Sequence, residues 1–79
     1  MKAFPNPTTG RIQLSGPAIQ AGYQVDIYDQ LSRKVGTTRF SEDLISSVDM
    51  SSNQNGIYFL QLKDEAGRTI YTTKVILMK

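Results

Sequence analysis

The sequence predicts a small all-β domain, built as an antiparallel sandwich of about six to seven short strands. Apolar and polar residues alternate with a period of two in several short segments. Turn-forming Gly, Pro, Asn and Asp residues separate these segments at intervals of roughly eight to twelve residues. No segment carries the apolar period of about 3.6 residues that marks an amphipathic helix. Short alternating strands with frequent turns are typical of two antiparallel sheets packed face to face.

Residues 56–63 form the most regular segment and predict the central strand. One face is apolar apart from a phenol oxygen, and the other mixes apolar with polar side chains. Turn signals at residues 53–56 and 64–67 flank the segment, so we expect a neighbouring strand on each side. The two faces comprise Tyr58, Leu60 and Leu62, which the rest of the chain is expected to cover, and Ile57, Phe59, Gln61 and Lys63.

Composition limits the functions that the chain can serve. Its 79 residues suffice for one small domain. The absence of Cys and His removes thiol chemistry, the commonest general base and the commonest transition-metal ligand. A net charge of +2, from nine basic and seven acidic residues, does not favour binding to nucleic acid or to a membrane surface. No apolar run approaches the ~20 residues of a membrane span. The chain begins without a signal peptide, so we expect an excised piece of a longer protein.

The N-terminal part predicts an edge segment followed by one strand. The two prolines of residues 4–10 lack backbone donors, so this segment can run alongside a sheet edge but cannot pair on both sides. Residues 11–14 form a short alternating strand with Ile12 and Leu14 facing inward, and the Gly-Pro pair at residues 16–17 ends it.

Residues 23–28 predict the second clear strand of the chain, since β-branched residues and a period of two argue against a helix there. Residues 29–33 form the following turn. Residues 34–40 then predict a weaker strand that we expect at a sheet edge. The residues of the second strand that share one face are Tyr23, Val25 and Ile27.

The C-terminal half predicts a connection, a further strand and a hairpin. Residues 40–44 form the connection, in which Ser41 has the character of a cap for one helical turn. Residues 45–50 predict a strand with Val48 and Met50 facing inward, and a polar turn follows it. Residues 69–78 are expected to pair with the central strand as a hairpin closed by Ala66, Gly67 and Arg68, with Tyr71, Thr73, Val75 and Leu77 on one face. The pairing order of the strands is left open, with a Greek-key topology expected from the class.

Four residue patterns that can carry chemistry have simpler interpretations. Ser32 with Lys34 lacks the geometry of an activated nucleophile, and both are interpreted as surface residues. Asp26 and Asp29 lie close in sequence but are interpreted as solvated strand and turn residues rather than paired catalytic acids. No acidic spacing resembles a calcium loop. The aromatic residues are spread along the chain and are expected mostly in the core rather than in a sugar-stacking row. The residues therefore predict a non-catalytic domain with no cofactor and no metal.

Four segments together resemble the C-terminal sorting domains of the type IX secretion system (the Por secretion system). Residues 4–10 resemble that family's opening motif, an aromatic followed by Pro-Asn-Pro and a turn with Gly. Residues 25–35 resemble its middle motif, a strand, an Asp, and a Gly-Arg or Gly-Lys turn before another strand. Residues 56–62 resemble its Gly-x-Tyr strand, and residues 74–79 resemble its basic, apolar ending. Ser32 stands where the family usually has glycine, which costs about 1 kcal/mol if the turn requires a positive φ.

The resemblance implies an immunoglobulin-like β-sandwich that serves as an address label at the C-terminus of a larger secreted protein of a Gram-negative bacterium. Its partners would be an N-terminal cargo domain, the outer-membrane translocon and shuttle proteins of the type IX system, and a sortase-like surface protease. The domain would fold in the periplasm and reach the cell surface or the exterior. We expect partner recognition to involve the exposed backbone and side chains of the last strand and three turns. The residues concerned are Lys74, Val75, Ile76, Leu77, Met78, Lys79, Pro5, Asn6, Pro7, Asp29, Arg33, Gly56 and Tyr58.

Two alternatives stay open at this point. The chain also fits a structural or carbohydrate-binding immunoglobulin-like module of a multidomain surface enzyme, which a row of coplanar exposed aromatic residues would favour. Lys74 and Lys79 also fit a role that involves no partner, in which they keep an edge strand soluble and resist edge-to-edge aggregation.

Overall fold

The computed structural model describes residues 2–15, 21–40 and 47–79, which form seven strands and, within those ranges, no helix. Strands β1, β2 and β5 form one antiparallel sheet, and a second antiparallel sheet has the order β4-β3-β6-β7. The strands are β1 (Lys2–Phe4), β2 (Arg11–Ser15), β3 (Gln24–Tyr28), β4 (Lys34–Arg39), β5 (Ser47–Asp49), β6 (Gly56–Lys63) and β7 (Thr69–Leu77). The predicted all-β sandwich is confirmed. The placement of β1, β2 and β5 opposite β3, β6 and β7 is the immunoglobulin-like arrangement, with β4 paired to β3.

Strand β6 lies between β3 and β7, as its two flanking turns predicted. Leu60 pairs with Ile27 of β3 on one side and with Thr73 of β7 on the other. Strand β4 is an edge strand, also as predicted, and a bulge opposite Ile27 and Tyr28 interrupts its pairing with β3.

One apolar core fills the space between the two sheets, and it confirms the predicted inward faces. The Tyr58, Leu60 and Leu62 face of β6 is buried, at 8%, 1% and 1% exposure. The three-stranded sheet contributes Ile12, Leu14 and Val48 to the same cluster, and β3 and β7 contribute Val25, Ile27, Val75 and Leu77. Both sheets therefore share a single hydrophobic interior.

The structure differs from the sequence-based expectation at both N-terminal and middle positions. Lys2–Phe4 forms a strand paired with β2, because Ala3 lies opposite Leu14 and packs against the core. A three-residue alternation beside a proline was too short to predict it. The strand predicted at residues 45–50 is Ser47–Asp49, and buried Met50 follows it. The cap at Ser41, the start of that strand at residue 45 and the break at residues 16–17 lie outside the described residues.

Candidate functional site

Three loops and the end of β7 meet at one end of the sandwich, which we call the motif end. It comprises the β1–β2 loop (residues 5–10), the β3–β4 turn (residues 29–33), the β5–β6 loop (residues 50–55) and residues 77–79. Gly56 pairs with Leu77, and Thr8 forms a parallel bridge to Leu77. The Met50 amide donates to the Gly10 carbonyl at 2.6 Å. The first motif (residues 4–10) and the start of the third (residue 56) therefore lie on either side of the end of β7, and the turn of the middle motif lies at the same end of the sandwich.

The β1–β2 loop closes the outer edge of β7 over its last part. Asn6 Nδ2 donates to the Lys74 carbonyl and Asn6 Oδ1 accepts from the Ile76 amide, both at 3.0 Å. The Thr8 amide donates to the Ile76 carbonyl, and the Met78 amide donates to the Thr8 carbonyl, both at 2.8 Å. These four hydrogen bonds replace the neighbouring strand that an edge strand lacks.

The expectation that the last strand offers exposed backbone is therefore wrong from the Lys74 carbonyl to the Met78 amide. Residues 4–10 were predicted to run alongside a sheet edge, and they do so here. Because Pro5 and Pro7 have no amide hydrogen to donate, the side-chain amide of Asn6 makes the hydrogen bonds to β7 that a backbone peptide group would make. Farther towards the start of β7, a bulge between Leu62 and Lys63 interrupts the pairing with β6.

Thr8 anchors this loop from inside the protein. Its side chain is 1% exposed, which is rare for a threonine. The hydroxyl donates to the Arg11 carbonyl at 2.7 Å and accepts from the Gly10 amide at 3.1 Å. Because both hydroxyl roles are satisfied, the burial costs little and the loop has one defined position.

Lys79 is held by the β5–β6 loop through both its backbone and its side chain. The Lys79 amide donates to Asn55 Oδ1, and Lys79 Nζ donates to the Ser51 carbonyl, each at 2.9 Å. Asn55 directly precedes the Gly-x-Tyr motif, and residues 56–59 of that motif pair with residues 74–77 of β7. The first motif, the β5–β6 loop and the third motif thus position residues 74–79.

An open cleft of about 300 Å³ lies between the β3–β4 turn and the β5–β6 loop. It brings the second and third motifs together, although they are more than twenty residues apart in the sequence. Only a small part of Tyr58 lines the cleft, because the residue is 8% exposed. Its hydroxyl donates to the Gln54 carbonyl at 2.6 Å. The lining residues are Asp29, Gln30, Leu31, Arg33, Gln54, Asn55, Gly56, Ile57 and Tyr58.

Asp29 and Arg33 organise the β3–β4 turn. Asp29 Oδ1 accepts from the Leu31 and Arg33 amides at 2.9 and 3.0 Å, and Arg33 Nε lies 2.9 Å from Asp29 Oδ2. The hydrogen bond from the Arg33 amide, with those from Leu31 and the guanidinium, holds the pKa of Asp29 below its usual value. Ser32 has a φ of 63°, so this turn does require the left-handed conformation at the position where the family usually has glycine.

The β6–β7 turn repeats this arrangement at the other end of the sheet. Asp64 Oδ1 accepts from the Ala66 and Arg68 amides at 3.0 and 2.9 Å, and Arg68 Nε lies 3.0 Å from Asp64 Oδ2. Gly67, at φ 86°, corresponds to Ser32. The sequence signal that the two turns share is Asp-x-x-Ser/Gly-Arg, at residues 29–33 and 64–68. Because the pair recurs away from the motif end, Asp29 and Arg33 have a structural role as turn formers.

Asp26 is buried, and the expectation that it is solvated is wrong. Its side chain is 1% exposed on the outer face of the four-stranded sheet, where Thr37 Oγ1 and Gln24 Nε2 donate to Oδ1 at 2.9 and 3.1 Å. Oδ2 lies 2.8 Å from Lys63 Nζ and 3.6 Å from Lys34 Nζ. Burial raises the pKa of Asp26, but the contacts with Lys63, Thr37 and Lys34 lower it by more, so the carboxylate stays charged. Neighbouring strands cover a side chain that alternation alone assigned to solvent.

The remaining sequence-predicted residues divide by burial. Val75 and Leu77 are 0% exposed and belong to the core, whereas Lys74, Met78 and Lys79 are exposed. Pro5, Asn6 and Pro7 are exposed in the β1–β2 loop, and Gly56 lines the cleft. Among the described residues, no group of three or more acidic side chains is arranged to hold a metal ion.

The sequence also matches a family model described as a secretion system C-terminal sorting domain, over residues 2–78. The chain belongs to this family. The match spans nearly the whole chain and all three motifs that form the motif end. No individual curated protein matches the chain.

Members of this sorting-domain family are secretion signals for the type IX system, and the chain is such a signal. The family implies export to the cell surface or beyond, and an N-terminal cargo. Such domains are in general not catalysts. No helix in the described ranges has the length and apolar character needed to cross a membrane.

The arrangement of aromatic residues does not support the carbohydrate-binding alternative. Phe4, at 42% exposure, lies on the three-stranded sheet, and Phe59, at 38%, lies on the outer face of the four-stranded sheet. Tyr58 and Phe40 are buried. The two most exposed rings are therefore on different sheets. Phe59 has only the half-buried Tyr28 opposite it, so the described residues form no row of exposed rings for a sugar.

Proposed function

We propose that the motif end is the surface by which the outer-membrane translocon and shuttle proteins of the type IX system recognise this sorting domain. The observation that carries the proposal is the set of hydrogen bonds by which Asn6, Thr8, Asn55 and Ser51 hold residues 74–79. Two loops from separate parts of the chain thus hold one short segment in a defined position at the motif end. A preformed surface loses little conformational entropy on binding.

Within this proposal, residues 1–79 act as one domain at the C-terminus of a larger secreted protein. Cargo precedes it, the domain folds in the periplasm, and a sortase-like surface protease removes it once cargo has crossed the outer membrane. Membership of the sorting-domain family supports these steps. The domain itself performs no catalysis in this scheme, in keeping with its lack of His and Cys.

An export assay tests the proposal. Residues 1–79 are fused to the C-terminus of a periplasmic reporter in a type IX-competent host, and the exported fraction is measured for the intact domain, for Lys79→Ala and for a deletion of residues 78–79. Thermal melts of each purified domain show whether the fold is intact. We expect export of the intact domain and reduced export of both variants. The melt should be nearly unchanged for Lys79→Ala and lower for the deletion, which also loses the hydrogen bonds of the Met78 and Lys79 amides.

Unchanged export of both variants would show that the end of the chain is structural only, and would restrict recognition to the loops at residues 5–10 and 29–33. Retention of the intact fusion in the periplasm would overturn the proposed function itself.

A further inference from the structure

A patch of apolar side chains lies on the outer face of the four-stranded sheet, next to the motif end. Ile57 and Ile76 are directly opposite each other on β6 and β7, and Phe59 follows Ile57 on the same face. Met78 follows Ile76 by alternation, and Leu31 lines the same cleft as Ile57. Leu31, Met78 and Phe59 are 72%, 58% and 38% exposed. These five residues form the outer patch, and contiguous exposed apolar side chains commonly mark a binding surface.

Lysine side chains border the outer patch beside Phe59. Lys74 lies opposite Phe59, and Lys34 lies opposite Tyr28, which pairs with Phe59. The acidic groups on this side are already engaged, since Asp26 is buried against Lys34 and Lys63 and Asp29 is bound to Arg33. Lys74 takes part in no ion pair with any described residue. Among the described side chains on this side, basic groups therefore outnumber acidic ones, and the rim carries a net positive charge.

The closed edge of β7 determines how a partner can bind here. Strand addition at residues 74–78 requires outward-facing backbone groups, and Asn6 and Thr8 already occupy those groups. What the same segment still presents is the side chains of Lys74, Ile76 and Met78. A partner that binds residues 74–78 with this loop in place therefore contacts side chains and does not pair with the main chain.

We infer that the outer patch docks into an apolar pocket with an acidic rim on a folded protein of the export machinery. This inference rests on the proposed function and specifies the partner's surface. An apolar centre inside a polar rim is the usual anatomy of a protein interface, and methionine adapts well to a partner's shape. A second copy of this chain is a poor occupant, because two positive rims would oppose each other. A membrane surface favours clusters of four to eight basic residues, and here Lys34, Lys63 and Arg33 are already paired with Asp26 and Asp29.

Substitutions at Lys74 and Met78 test the inference in the reporter-export assay. For Lys74 the series is Arg, Gln and Glu, and for Met78 it is Leu and Glu. Because interface anchors contribute most of the binding energy, we expect about tenfold less export for Lys74→Glu and for Met78→Glu, with unchanged melting temperatures. Lys74→Arg and Met78→Leu should export normally, and Lys74→Gln should fall between Arg and Glu. Gln13→Glu, an exposed change on the opposite sheet, alters the net charge by the same one unit as Met78→Glu and Lys74→Gln, and it should have no effect.

The sign of the charge effect separates an acidic rim from a loss of packing, because packing alone would not rank glutamate below glutamine. Equal export of all variants, with normal export of the intact domain, would overturn the outer-patch inference and leave the proposed function standing. Failure of the intact domain would instead overturn the proposed function.

Two further measurements distinguish other occupants. Co-sedimentation with vesicles of phosphatidylcholine and phosphatidylglycerol that Lys74→Glu abolishes would assign the patch to an anionic lipid surface and overturn the inference. A mass that rises with concentration in sedimentation velocity, and does not rise for Met78→Glu, would assign it to a second copy and overturn it equally. We expect a monomer that does not sediment with the vesicles.

Discussion

Ser32 and Gly67 occupy equivalent positions in two turns with the same hydrogen bonds, one at each end of the four-stranded sheet. Both residues have a left-handed φ, of 63° and 86°. The Ser32 amide donates to the Asp29 carbonyl at 3.1 Å, and the Gly67 amide donates to the Asp64 carbonyl at 3.0 Å. The chain therefore contains its own comparison between serine and glycine in one backbone conformation.

Exchanging these residue types should change stability in opposite directions. Serine pays a steric cost in the left-handed region that glycine avoids, so Ser32→Gly should raise the free energy of unfolding by up to about 1 kcal/mol and Gly67→Ser should lower it by about 1 kcal/mol. A Cβ at Gly67 has no atom within 4 Å, so the loss is conformational and not a clash. Urea titration measures both. A shift of the same sign in the two variants would contradict the shared turn geometry.

Removal of a core side chain from β6 should destabilise the domain severely. Leu60 is 1% exposed, so Leu60→Ala should cost about 2–5 kcal/mol through cavity formation, which is much of the stability that a domain of this size has. Tyr58→Phe, which removes only the hydrogen bond to the Gln54 carbonyl, should cost about 1 kcal/mol. Thermal melts check both, and Thr72→Ala on the outer face of β7 should be nearly neutral by comparison.

The Asp26 ion pairs should make stability depend on pH at both extremes. The pKa of Asp26 lies below its usual 3.8 in the folded state, so its contribution is present above about pH 4 and is lost as the pH falls through the folded-state pKa. Contact with Asp26 raises the pKa of Lys63 above its usual 10.5, so that contribution is present below that pH and is lost as the pH rises through the raised pKa.

Asp26→Asn isolates this effect. It should lower the free energy of unfolding by about 1–3 kcal/mol at pH 7, because a buried charge-assisted network loses its anion while the partly exposed lysines remain hydrated. Its difference from the unaltered domain should shrink below about pH 4, in melts recorded from pH 2 to 8. A difference that is constant across this range would show that packing and not charge is responsible. Glu65→Gln, at an exposed turn position, serves as the control.

The Asn6 contacts should protect the last strand from local opening. Asn6→Asp keeps the acceptor for the Ile76 amide but replaces the donor to the Lys74 carbonyl with an oxygen, so it should cost about 1–2 kcal/mol. Asn6→Ala removes both bonds. Amide hydrogen exchange should become faster at Ile76 and Met78 in both variants, and remain unchanged at Leu60 in the centre of the sheet. Unaltered exchange at Ile76 would show that the loop does not hold β7.

The local pattern of the sequence determined the fold class, the inward faces of β2, β3, β6 and β7, the hairpin that ends the chain and the edge position of β4. Alternation, turn residues and β-branched content are local properties, and burial follows from them wherever a strand has one covered face. The four motif segments also indicated the sorting-domain family before any geometry was known. Strand β1 was not predicted because three residues beside a proline are too few to show an alternating pattern.

Only the tertiary structure decided which residues meet. Asn6 and Ile76 are 70 residues apart, so no local signal shows that the loop closes the last strand, and the expectation of exposed backbone there failed for that reason. Asp26 has the sequence pattern of a solvated strand residue, but in the structure Thr37 and Lys34 of β4 and Lys63 of β6 cover it. In both cases a polar group binds a partner on a strand or loop that is distant in the sequence. Such contacts depend on the order of the strands in the sheets, and the sequence alone does not predict that order.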